Sequence, residues 1–239
     1  MESLRSGIYQ TFILDHNYKY FLNGIKITLI VTLFALVLGL ILGVLVAIIR
    51  SAHDQQPENK RGILLRVLNL FCKVYLTVIR GTPMMVQLLI MWFVVWASAR
   101  ATDGNMIRCA VLSFGINSGA YVAEIVRSGI MSIDKGQMEA GRSLGLSYVK
   151  TMRFIVIPQA FKNVLPALGN ELITLLKETS IVTVIGLKDL TKGAMIIQAN
   201  TYQAMVPYLA IAAIYLAMVM LLSWLLGVME RRMRKSDIR

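Results

Sequence analysis

Residues 27–49 read ITLIVTLFALVLGLILGVLVAII, 23 consecutive positions without a charge. About 20 apolar residues cross a hydrocarbon core of ~30 Å, and only a helix satisfies its own backbone there without a partner strand. This run is therefore a membrane span, and the rest of the chain is read from it. A second plain span lies at the other end, where 204–229 holds 26 uncharged residues. Between them the apolar stretches are interrupted. After the polar break at 50–61, Gly62–Ile79 carries Arg66, Asn69 and Lys73, spaced to share one helical face. An amphipathic helix is expected here, at the interface or packed in protein. Arg80-Gly81-Thr82-Pro83 ends it and starts another. Met84–Ala99 is short for a span and is expected to continue the preceding helix across the membrane with a kink. Cys109–Ile130 is broken by Glu124 and Arg127, and Asn163–Leu187 by Glu171, Lys177 and Glu178.

Composition supports this reading. Of 239 residues, 56% are hydrophobic and 16% charged, and mean hydropathy is +0.64. A soluble domain is about a quarter charged, so most soluble classes are excluded. The 25 Lys and Arg against 13 Asp and Glu give a net charge of +12, which suggests nucleic acid until the positions are examined. Seventeen of the basic residues fall in 50–80, 127–163 and 230–239. With five spans these segments share one side, and the positive-inside rule makes that side cytoplasmic. The expected fold is an all-α membrane protein of five transmembrane helices with the N-terminus outside and the C-terminus in the cytoplasm. No nucleic-acid partner is then needed. Residues 1–23 are an external segment, 24–230 a single transmembrane domain, and 231–239 a basic cytoplasmic tail. The first apolar run lacks the features of a cleaved signal and is expected to stay in the membrane. Cys72 and Cys109 read as small buried hydrophobes, and His16 and His53 are too isolated for a metal or catalytic pair.

The longest cytoplasmic segment, about 131–166, has strong local signals. Asp134 with Gln137 has capping-box spacing, Gly145 suits the left-handed residue that closes a helix of about ten residues, and Ser147 can cap a second helix that Pro158 ends or bends. The first helix presents Glu139, Arg142 and Ser143 as a polar ridge. On composition alone this is a solvated connecting loop.

Other motifs lie around it. Gln137-Met138-Glu139-Ala140-Gly141-Arg142-Ser143-Leu144-Gly145-Leu146-Ser147 is followed by Ile157-Pro158-Gln159. Arg80-Gly81-Thr82-Pro83 with Gln87, Ala120-Tyr121-Val122-Ala123-Glu124-Ile125-Val126-Arg127, and Pro166-Ala167-Leu168-Gly169-Asn170-Glu171-Leu172-Ile173 through Lys177-Glu178-Thr179-Ser180 complete the set. In this order they resemble the permease subunits of bacterial ABC importers, in the polar amino-acid uptake branch, from about Asn23 to the C-terminus. The first corresponds to the EAA loop, with Gly141 where that family usually has its second alanine.

The resemblance implies the type I ABC importer permease fold in the bacterial cytoplasmic (inner) membrane, with the chain crossing it several times. It implies two ATPase subunits, a second permease chain, identical or homologous, and an extracytoplasmic binding protein that delivers an amino acid. No GxxxxGK[ST] loop is present, so the chain is expected to be no enzyme and to bind no cofactor, with ATP and Mg on the partner. Glu139, Ala140, Gly141, Arg142, Ser143 and Gly145 become ATPase-coupling residues, with a looser helix or a closer partner surface at Gly141. A charge inside the membrane usually faces a partner or a cavity. This makes Glu171 and Arg80, with Thr82 and Gln87 behind them, candidates for the substrate path; the alternative is that Arg80 caps backbone and Glu171 pairs internally, for example with Lys177. Glu124 and Arg127, three apart, are expected to pair near the cytoplasmic gate. Trp92, Trp96 and Tyr208 read as interfacial aromatics, and the methionines of the last span as lipid- or partner-facing. A secondary transporter, disfavoured by the lack of an internal repeat, and a membrane assembly factor are the competing readings.

Overall fold

The computed structural model describes residues 2–13, 16–56 and 61–235. Residues 57–60 of the polar break and 236–239 of the basic tail lie outside the described residues. All the regular elements described are helices: α1 (Glu2–Phe12), α2 (Tyr18–Gln55), α3 (Ile63–Arg80), α4 (Met84–Ile90) running into a π turn (Met91–Val95), α5 (Asp103–Met131), α6 (Lys135–Ser143), α7 (Tyr148–Thr151) running through a second π turn (Met152–Val156) into α8 (Ile157–Glu178), a 3-10 segment (Thr179–Ile185), α9 (Leu190–Thr201) and α10 (Met205–Lys235).

Among the described residues, three helices are long and apolar enough to cross a membrane alone: Tyr18–Gln55, Asp103–Met131 and Met205–Met233. Ile63–Arg80 with Met84–Val95 qualifies as a pair, but the pair is bent by 105° at its break. The expected kinked continuation is thus a sharp turn. Gly81 N–H bonds to Thr77 O and the Thr82 hydroxyl donates to Val78 O at 2.8 Å, so the end of α3 is closed before Pro83 starts α4. The polar break after the first span is also shorter than its composition suggests. At ~1.5 Å per residue, the 38 residues of α2 overshoot a bilayer core and carry Arg50–Gln55 onward as helix.

By contact the chain divides into two units: Met1–Leu36, Pro83–Phe114 and Ile173–Leu225 form the first, and Val37–Thr82, Gly115–Leu172 and Leu226–Arg239 the second. The first unit has two cores. One joins Val31, Leu88, Trp92, Cys109, Phe114, Leu175, Val182 and Leu187. The other joins Phe21 to Leu190, Ala194, Ile197 and Ile211. Trp92 is therefore a core residue, 8% exposed, and Trp96 packs against the same cluster, contrary to the interfacial reading. α2 crosses α9 so closely that a Cβ on Gly24 would lie 2.5 Å from the Leu190 Cα. In the second unit Leu76, Ala120 and Ala123 pack with Val46, Tyr75 and Ile79, and the Tyr75 hydroxyl donates to Ile116 O. The outer faces of α2 and α10 leave Leu33, Phe34, Ile41, Met220, Leu221 and Trp224 exposed. Large apolar side chains exposed along a helix in this way suit lipid and not water. Met205 and Met229 share that exposure, whereas Met218 packs on the second core.

Candidate functional site

The segment after α5 folds as its local signals predict, with two differences. The Asp134 side chain accepts from Gly136 N–H at 2.6 Å, and Gln137 N–H bonds to Asp134 O. The reciprocal half of the capping box is not made, because the Gln137 amide meets Gln159 at 3.4 Å instead. At the other end Gly145 sits at φ +80°. Its N–H bonds to Arg142 O and that of Leu146 to Gly141 O, the pair of bonds that seals a helix on a left-handed residue. Ser147 caps α7, accepting from Lys150 N–H at 3.4 Å. Pro158 neither ends nor interrupts the helix that follows. It is the second residue of α8, directly after the π turn 152–156. A proline lacks an N–H and crowds the carbonyl four residues back, and the wider π turn relieves both conflicts.

Within α6, Glu139, Ala140, Arg142 and Ser143 are exposed and Gly141 is buried. A Cβ on Gly141 would meet Thr151 Cγ2 at 2.5 Å, and Thr151, itself fully buried, donates its hydroxyl to Ser147 O. The glycine therefore lets α6 close onto α7 in the same chain. Next to the polar ridge Leu144 is 80% and Val149 70% exposed. Glu139 also borders a cavity of about 450 Å³ together with Asp54, Gln55, Met138 and Tyr148.

Asp54 has no motif around it, and nothing in the sequence near it marks a site. Its Oδ2 receives bonds from Arg127 Nε at 3.0 Å and Nη2 at 2.8 Å, and His53 Nδ1 lies 3.4 Å from its Oδ1. Burial raises the Asp54 pKa, but bonds from Arg127 and His53 and the charges of Arg127 and Arg50 outweigh it and hold the carboxyl below its ordinary value. Beside it the Tyr148 hydroxyl meets the Gln55 side chain, and burial raises the tyrosine pKa. The expected Glu124–Arg127 pair is replaced by two longer-range ones, since Arg127 turns to Asp54 and Glu124 to Arg80 at 3.8 Å. No spacing rule reaches across 73 positions of sequence.

The substrate-path candidates separate. Arg80 lies over the Tyr121 ring at 5.7 Å and faces Glu124. Glu171 accepts from the Ser118 hydroxyl at 2.7 Å. Thr82 closes α3 as described, and Gln87 belongs to α4 in the first unit. Arg80 and Glu171 thus have different partners, Glu124 and Ser118, inside one unit.

Residues 63–235 match the family of binding-protein-dependent transport system inner membrane components. The chain is 39% identical to the arginine transport system permease protein of Bacillus subtilis, over 74% of this chain and 85% of that one. It is also 39% identical to the glutamine transport system permease protein of Escherichia coli, over 70% and 77% respectively. A crystal structure of an amino acid ABC transporter with histidines superposes with a TM-score of 0.79 at 42% identity, covering 90% of this chain and 94% of that one. An inward-facing methionine ABC transporter gives a TM-score of 0.72 at 19% identity over 90% and 96%, a likeness of fold alone.

Proposed function

The chain belongs to the family of binding-protein-dependent inner membrane components, the permease subunits of amino-acid ABC importers, and from that premise we propose that it moves a polar or charged amino acid inward by alternating access. Five spans are assigned to α2, the bent α3–α4 pair, α5, α8 with its 3-10 extension, and α10. The N-terminus is outside and the C-terminus in the cytoplasm of the bacterial inner membrane. An extracytoplasmic binding protein delivers the solute, a second permease chain completes the path, and two ATPase subunits hold the ATP and Mg. Arg80, Thr82, Gln87 and Glu171 border the path, with Thr82 acting through the helix end it closes.

The observation that carries this reading is the rigidity of α6. It is capped at Asp134, sealed at Gly145 and locked to α7 through Gly141, yet its ridge Glu139, Arg142 and Ser143 and the apolar Leu144 face outward. A solvated connecting loop has no need of that construction. A lever that fits a partner does, because nucleotide-driven closure of the ATPase pair is passed on as rigid-body motion. The test is co-expression with the ATPase and binding-protein genes that neighbour it. The complex should hydrolyse ATP faster with loaded binding protein, and Glu139→Arg or Gly145→Pro should abolish uptake at normal expression. Unaltered uptake in both variants, or no co-purifying ATPase, overturns the reading.

A further inference from the structure

Two further basic residues of the second unit lie close together: Arg50, where the apolar run of α2 stops and whose charge also bears on Asp54, and Lys73, midway along α3. The structure brings them to one place. A cleft of about 430 Å³ is lined by Arg50, Lys73, Leu76, Thr77, Arg80 and Glu124. On α3 the lining positions 73, 76, 77 and 80 follow the i, i+3, i+4, i+7 pattern of one helical face.

The charge of this cleft does not balance. Three cations share one carboxylate, and Glu124 stands 3.8 Å from Arg80, too far for a hydrogen bond. Arg50 Nε is buried and lacks a hydrogen-bond partner among the described residues, a costly state for a charged donor. Asp54, one helical turn beyond Arg50, is already engaged by Arg127. The Tyr121 ring holds the Arg80 guanidinium from one side. Leu76 is the one apolar side chain of the lining and the surplus charge is positive, so the cleft draws anions and repels cations.

We infer that this cleft is a carboxylate-binding station for the transported solute and that it selects neutral and acidic amino acids over basic ones. The identity of the ligand rests on the importer reading above. An amino-acid zwitterion places its ammonium against Glu124 and its carboxylate against Arg50 and Lys73, the more complete match for the unpartnered Nε. A cation then still faces the side chain, which favours a second carboxylate, tolerates an amide and opposes a lysine or arginine side chain. A lipid phosphate offers the same oxygen chemistry, so the test must separate the two sources.

The full chain in phosphatidylcholine nanodiscs is titrated with radiolabelled L-glutamate, L-glutamine and L-lysine. Glutamate should bind at least about tenfold more tightly than lysine, and Arg50→Gln and Lys73→Gln should each weaken glutamate by about tenfold. Arg100→Gln, a cation that is not among the residues lining the cleft, should leave glutamate binding unchanged. Lys73→Glu should shift the preference toward lysine, a gain that a misfolded variant does not produce. Lysine binding as tightly as glutamate, or no effect of Arg50→Gln and Lys73→Gln, overturns the inference. Nanodiscs doped with phosphatidylglycerol form the second arm. Loss of glutamate binding there, in proportion to the anionic lipid, assigns the cleft to a headgroup and overturns its role as a solute station. Uptake by the assembled complex is scored separately. Failure of uptake for every amino acid defeats the importer reading, whereas uptake with no preference among the titrated amino acids defeats only the cleft.

Discussion

α6 and α9 are both short helices, of nine and twelve residues, and both start on an aspartate cap, yet they are built for opposite surroundings. Asp134 is exposed and makes one side-chain bond to backbone, at 2.6 Å. Asp189 is fully buried and makes two, to Thr191 N–H at 3.0 Å and Lys192 N–H at 2.9 Å. α6 buries only Gly141, while α9 buries Leu190, Gly193, Ala194 and Ile197. The difference teaches that a cap has two uses. In α9 it satisfies the backbone donors of Thr191 and Lys192 where the helix start enters a core. In α6 it stiffens a helix that buries only Gly141 and whose outward face is left available.

The sharpest way to break this comparison is to remove both caps. Asp189→Ala strands two part-buried donors and should cost about 3 kcal/mol, while Asp134→Ala should cost about 1 kcal/mol or less. Unfolding by SDS in mixed micelles, followed by circular dichroism, measures both, and equal losses would erase the distinction. The glycine contacts come next. Gly24→Ala drives a Cβ into the backbone of Leu190 and should cost about 2 kcal/mol. Gly141→Ala meets side chains alone, those of Thr151 and Ile155, and the gain in helix propensity of up to ~1 kcal/mol offsets part of the crowding. In the same assay Gly145→Val, forced to φ +80°, should lose about 1–2 kcal/mol, with uptake falling further than stability explains. The smallest effect is on pH. The Asp54 carboxyl lies below its ordinary value when folded, so its stabilisation is present above the unfolded pKa and disappears as pH falls through the folded one. Acid titration of stability should therefore show a loss at the low end that Asp54→Asn lacks.

The sequence makes some of this legible and hides the rest for definite reasons. The apolar runs of α2 and α10 need no tertiary information, because the solvent they require is written into their composition. α6 is readable because its caps are local chemistry, complete within a dozen residues. α9 is not, since its small and polar residues carry no stripe until α2 approaches at Gly24. Glu124 and Arg127 looked like a pair because spacing can suggest only near neighbours, whereas each took a partner from another helix. Gly141 stands in the sequence only as a departure from a motif, and Thr151 and Ile155 beside it explain the missing methyl.

The π turn at 152–156 has an implication for how this region tolerates change. A π turn holds one residue more than the α geometry requires. Deleting a single position there would restore ordinary helix, while turning everything before it by about 100° relative to α8. The ridge of α6 would then point along a different bearing with its own fold intact. Indels in this stretch act as steering changes, and a partner selected for the present bearing would refuse the altered one.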